Sequence, residues 1–126
     1  PRALDRSPNT LKPGRARGGG PFACWLGRVD NAWKHRAIVR QDGPRLPSSY
    51  VDRFSVDSAV FDPGSLRLLT EVMGAGRVML GSDYPFPLGE PRIGALIEAA
   101  DFLSASERQR LFAGHAIDFF HLQPKH

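Results

Sequence analysis

Apolar and polar residues follow different rhythms along this chain, and the rhythm changes at prolines and glycines. Leu66, Leu69, Val72 and Met73 recur at helical spacing and predict one apolar helix face. Asp62 suits the N-cap of that helix, Pro63 its first position, and Gly74 its end. Ahead of it, residues 54–61 are rich in strand formers and stop at Asp62-Pro63-Gly64. Behind it, Arg77-Val78-Met79-Leu80-Gly81 is a short continuous apolar run of the kind buried in parallel sheets. That run leads into residues 82–90, a loop that Pro85 and Pro87 keep extended.

The flanks carry weaker versions of the same signals. Residues 1–20 contain Pro8, Pro13 and Gly18-Gly19-Gly20 with little apolar periodicity, and read as loop or linker, with order beginning near Pro21. A helix is predicted from Phe22, with Val29 and Trp33 on a buried face, then a loop over 41–47 and a short helix opened by Ser48. Pro91 opens a further helix with Ile93, Leu96, Ile97 and Ala100 on one side. Ser104 and Glu107 form a capping box for the next, which Gly114 ends. Residues 116–122 give a last short apolar helix. Strand, helix, strand, loop, helix, helix is an α/β order with parallel strands, and two or three strands cannot close a sheet alone.

With 126 residues the chain is one domain or a piece of one, about half of the ~250 residues of a closed eight-fold barrel. It begins with Pro1, as a segment of a longer protein would. The 41% hydrophobic content is that of a globular protein, no apolar run approaches a membrane span, and the reading is soluble and cytoplasmic. Cys24 is the only cysteine, so no internal disulfide or cysteine metal site is available, and its apolar neighbours suggest core packing.

The net charge of +4 is uneven: residues 1–45 carry +7 and residues 46–126 carry −3. A basic arm permits a noncatalytic nucleic-acid-binding module, yet Arg2, Arg6, Lys12, Arg15 and Arg17 lack interleaved aromatics and match no binding motif, so no nucleic-acid partner is expected.

Two constellations could carry chemistry. Asp83 in Gly81-Ser82-Asp83-Tyr84-Pro85 follows an apolar strand, at the end where parallel α/β proteins put ligands. It reads equally as a metal ligand or proton acceptor and as a cap on the next turn. Gly18-Gly19-Gly20 followed by Arg28 would let backbone approach a ligand while the guanidinium clamps a carboxylate. Alone, Arg28 reads first as a surface residue. His35, His115, His121 and His126 have no ligand-pair spacing and read as surface or packing residues.

Together these blocks resemble the C-terminal part of the aminocarboxymuconate-semialdehyde decarboxylase family, within the metal-dependent hydrolases of the amidohydrolase superfamily. The resemblance rests on Gly18-Gly19-Gly20, residues 26–33, residues 50–54, residues 56–63 and residues 78–90. It implies the C-terminal portion of a (β/α)8 TIM barrel over residues 18–126, and residues 1–17 as an irregular or out-of-register arm. The implied activity is zinc-dependent, nonoxidative decarboxylation of 2-amino-3-carboxymuconate semialdehyde, in tryptophan or nitrobenzoate catabolism. The alternative is another decarboxylase or hydrolase of aromatic acids. By position, Asp83 is the implied metal ligand and catalytic carboxylate, and Arg28 the implied clamp on a small-molecule carboxylate substrate, donated across a homodimer of the full-length protein. The family has a catalytic His where Arg17 stands here, and its other metal ligands lie upstream. The chain alone is therefore expected to be inactive and prone to associate.

Overall fold

A computed structural model of the chain describes residues 12–123. Three short strands form an all-parallel sheet in the order β1 (Gly14–Arg15), β2 (Ser55–Asp57) and β3 (Val78–Met79). Gly14 pairs with Ser55 and Arg15 with Val56; Val56 pairs with Val78 and Asp57 with Met79. The helices are α1 (Phe22–His35), α2 (Ala37–Asp42), α3 (Pro63–Met73), α4 (Ala95–Ala99), α5 (Ala105–Gln109) and α6 (His115–Phe120).

The best-written helix forms as its residues dictate. The Asp62 carboxylate accepts the Ser65 N–H at 2.7 Å, Pro63 starts α3, and Gly74 leaves it at φ +80°. Its inner face buries Leu66, Leu69, Thr70 and Met73. That face joins Phe54, Val56, Val78, Ile97, Ala100, Leu103 and Leu111 in one core, in which Val56, Leu66, Val78 and Leu111 are wholly enclosed. The capping box of α5 is also present: Glu107 N–H donates to the Ser104 hydroxyl, and Ser104 N–H donates to the Glu107 carboxylate.

Elsewhere tertiary contacts redraw the local pattern. Residues 12–19 are structured where the sequence reads as loop: Gly14–Arg15 add a strand to the sheet and Arg17–Gly19 make a 3₁₀ turn, while the rest of the expected arm, residues 1–11, lies outside the described residues. The strand expected over 54–61 stops at Asp57, because its side chain turns back to accept the Ala59 N–H. The run expected over 77–81 is paired only at Val78–Met79, and the Leu80 N–H donates to the carbonyl of Leu111 instead.

The helix expected from Pro91 begins at Ala95, since the Glu90 carboxylate accepts the N–H groups of Gly94 and Leu96 at 2.7 and 2.8 Å and so fixes the first turn. Gly114 does not end a helix. It keeps right-handed angles, and a π-turn over Arg110–Gly114 carries the chain into α6, which stops where His121 turns left-handed at φ +54°. The short helix expected at Ser48 is a 3₁₀ turn over Pro47–Arg53, opened by Pro47, and Ser48 N–H donates to Asp30 of α1. Helix α1 itself buries no residue completely: Val29 is exposed, Trp33 is half-buried with its indole N–H on the carbonyl of Gly43, and Cys24, expected in the core, is exposed.

Candidate functional site

The carboxyl ends of the three strands lie side by side because the sheet is parallel and sequential. The chain leaves β1 at Arg17, leaves β2 at Asp57-Ser58, and leaves β3 at Gly81-Ser82-Asp83. Asp83, the carboxylate singled out by sequence, therefore stands beyond the carboxyl end of the sheet, where the sequence reading expects it. Its backbone is left-handed at φ +55°, and its Oδ2 lies 3.6 Å from Nε of Arg17, whose own φ is +56°. The Asp83 side chain is 22% exposed and that of Arg17 is 70% exposed, so the pair sits at the mouth of the strand ends.

Two of the three glycines, read from the sequence as a place where backbone can approach a ligand, are packed against the fold itself, while Gly20 has open space beside it. Gly18, Gly19 and Gly20 all have positive φ, and the turn they make is pressed onto β2 and the residues after it. A Cβ on Gly18 would collide with Cγ1 of Val60, and one on Gly19 would lie 3.1 Å from Cγ1 of Val56. What holds the turn is Asp57, which the sequence reading missed. Its Oδ1 accepts the Gly18 N–H at 2.9 Å and the Ala59 N–H at 3.1 Å. The signal available was positional: Asp57 ends an apolar strand just as Asp83 follows one.

Ser58 ties the same strand ends together. Its N–H donates to the carbonyl of Met79, and its hydroxyl accepts the Gly81 N–H at 3.1 Å. Beyond Asp83 the loop folds on itself: Phe86 N–H donates to the carbonyl of Asp83, and Glu90 N–H to that of Ser82. Tyr84, Phe86 and Leu88 stand out from this loop into solvent.

Arg28 lies exposed on α1 and makes no ion pair with Asp83 or with any other described residue, so the structure does not bring the two site residues together within one chain. His115, read as a surface or packing residue, is buried, and one ring nitrogen, Nε2, is 2.8 Å from the Ser55 hydroxyl. Loss of solvation, then the charges of Arg110 and Arg77, hold its pKa below the ordinary histidine value. It lies at the amino end of β2, away from Asp83.

No group of three or more His, Cys, Asp or Glu able to hold a metal occurs among the described residues. Three protein ligands are the usual minimum for catalytic zinc, so the described residues do not by themselves fit a divalent ion. Asp83 is one carboxylate, already facing a cation. No described helix is long and apolar enough to cross a membrane.

Comparisons with known proteins bear on the family and the fold. The family model for amidohydrolases matches residues 18–122. The chain is 41% identical over 125 residues to 2-amino-3-carboxymuconate-6-semialdehyde decarboxylase of Dictyostelium discoideum, covering 96% of the chain and 34% of that protein. It is 35% identical over 103 residues to the protein of the same name from Caenorhabditis elegans, covering 81% of the chain and 26% of the relative. Among solved structures, 5-carboxyvanillate decarboxylase of Novosphingobium aromaticivorans, complexed with manganese and 4-hydroxy-3-methoxy-5-nitrobenzoic acid, superposes with a TM-score of 0.78 at 26% identity. That match covers 95% of the chain and 35% of the enzyme. The chain thus spans about a third of the length of the relatives it matches, and its α/β architecture is that part of their TIM barrel.

Proposed function

The chain belongs to the amidohydrolase family, and from that premise we propose that it is the C-terminal third of a nonoxidative carboxy-lyase whose substrate is 2-amino-3-carboxymuconate semialdehyde. The observation that carries this reading is the 41% identity to a decarboxylase across nearly the whole chain. The placement of Asp83 at the carboxyl end of a parallel strand supports it.

Decarboxylation breaks a carbon–carbon bond and leaves an electron pair on carbon, so a site must hold the departing carboxylate and stabilise the negative charge that develops. In this reading Arg28 binds a substrate carboxylate through paired N–H donors, and its exposure on α1 suits donation to the site of a second subunit. Asp83 supplies a carboxylate at the reacting end, where it accepts a proton or contributes one ligand to a divalent ion completed by residues from elsewhere in the whole protein. Zinc is the metal the family resemblance implies, and a structural neighbour carries manganese. No group of three or more His, Cys, Asp or Glu among the described residues completes such a site around Asp83. Tryptophan catabolism is the pathway that this substrate would imply.

The second reading is a decarboxylase of aromatic acids in the same superfamily, favoured by the superposition on 5-carboxyvanillate decarboxylase.

A graft tests both. Residues 18–122 replace the matching third of the Dictyostelium decarboxylase, and carbon dioxide release is followed with the semialdehyde and with a panel of hydroxybenzoates. Turnover of the semialdehyde is expected, lowered about a hundredfold or more by Asp83→Asn; Arg28→Ala is expected to raise KM. A folded graft that turns over hydroxybenzoates only selects the second reading. Full activity in Asp83→Asn removes Asp83 from the site. The chain by itself is expected to release no carbon dioxide.

A further inference from the structure

Asp57 touches both halves of the strand-end cluster. On one side its Oδ1 accepts the N–H of Gly18, the residue after Arg17. On the other side it fills the space that Gly81, two residues before Asp83, leaves by having no side chain: a Cβ on Gly81 would lie 2.7 Å from Cβ and 2.8 Å from Cγ of Asp57. The Asp57 side chain therefore occupies the space beside Gly81 that any larger residue would need.

We propose that Asp57 is a positioning residue that sets the Arg17 guanidinium against the Asp83 carboxylate. It does so by gripping the left-handed turn that carries Arg17 and by packing under the glycine that leads to Asp83. This rests on the strand-end cluster being the site. The 3.6 Å between Arg17 and Asp83 is then a consequence of the grip on Gly18 and the fit at Gly81, since Arg17 is largely exposed and has no other ion pair among the described residues to orient it. Both residues adopt left-handed angles, which an aspartate tolerates and which an arginine takes only when its surroundings hold it there. Asp57 is the imposing group on the Arg17 side. Ser58, whose hydroxyl accepts the Gly81 N–H, holds the Asp83 side in register.

The test is amide hydrogen exchange and ¹H–¹⁵N spectroscopy on the whole chain, at a dilution where light scattering finds it monomeric. Asp57→Asn keeps the acceptor oxygen and the volume, and is expected to hold Gly18 amide protection within about threefold of wild type. Asp57→Leu keeps the volume without an acceptor, and is expected to lose that protection by about tenfold or more, while the amides of Leu66 and Leu111 stay protected in both. Gly81→Ala, made on the other strand, is expected to expose the Gly18 amide and to shift the Arg17 Nε–H resonance. Equal Gly18 protection in Asp57→Asn and Asp57→Leu would overturn the proposal. So would a Gly81→Ala chain in which the Gly18 and Arg17 signals stay in place. If Asp57→Leu unfolds, seen as lost protection at Leu66 and Leu111, the Gly81→Ala result decides alone. None of these readouts needs turnover, so failure of the decarboxylase reading and failure of this bridge are separate outcomes.

Discussion

Arg17 and Asp83 meet across the ends of the two outer strands, Nε to Oδ2 at 3.6 Å, and both have left-handed backbone angles. The arrangement places a fixed positive charge against the carboxylate that the family resemblance would assign to a metal. Beside Arg17, Gly18 and Gly19 are packed against Val60 and Val56.

Replacing Arg17 is expected to matter little for stability, and replacing Gly18 to matter a great deal. The ion pair is exposed on the arginine side, so Arg17→Ala should change the unfolding free energy by about 0–1 kcal/mol. Gly18→Ala adds a Cβ that collides with Val60 at a φ of +58°, and should cost about 3 kcal/mol. Urea denaturation of the two variants measures both, and equal midpoints would refute the packing role of Gly18.

His115 makes stability depend on pH in a defined direction. Desolvation, with Arg110 and Arg77 nearby, lowers its folded-state pKa below 6.5, so the unfolded chain takes up the proton first on acidification. Its contribution is complete above about pH 6.5 and is lost as pH falls below that value. The urea midpoint should therefore drop between pH 7 and pH 5 in the wild type and stay flatter in His115→Gln. Asp62, Glu107 and Asp118 act in a lower window: backbone bonds from Ser65 and Ser104 and the hydrogen bond from Arg110, respectively, lower their pKa values, so their contribution is lost only at more acid pH. A His115→Gln chain with an unchanged slope above pH 5 would place the effect elsewhere.

The core should respond to truncation where the side chain is fully enclosed and ignore it where solvent is present. Leu111 has no exposed surface and its backbone carbonyl accepts from Leu80, so Leu111→Ala should cost about 2–5 kcal/mol. Ile38 is 68% exposed, so Ile38→Ala should stay within about 0.5 kcal/mol. Thermal melts followed by circular dichroism separate the two.

The chain in isolation is expected to associate. Strand β1 pairs only with β2 among the described residues, leaving an edge, and beside it Phe22, Val29, Trp33, Ile38, Tyr50 and Phe54 line an open apolar cavity of about 540 Å³. Light scattering after gel filtration should show mass rising with concentration, and a hydrophobic dye should bind strongly. A monodisperse monomer with a cooperative melt would contradict this.

What the sequence determined by itself was local. Asp62-Pro63 and Gly74 bracket α3, and Ser104 with Glu107 caps α5, because such signals act through backbone groups a few residues away. The apolar run before Asp83 was enough to place that carboxylate at a strand end, and the long motif around it carried the family. What only the tertiary structure decided were contacts between residues far apart in the chain. Gly14 and Arg15 become a strand because Ser55 and Val56 offer them a parallel partner. Glu90 chooses where α4 begins. Asp57 reaches back 39 residues to hold Gly18, a pairing that no periodicity or spacing encodes. The physical reason is the same in each case: backbone and carboxylate groups must be satisfied by whatever the folded chain brings within reach, and that neighbour is set by the packing of the sheet.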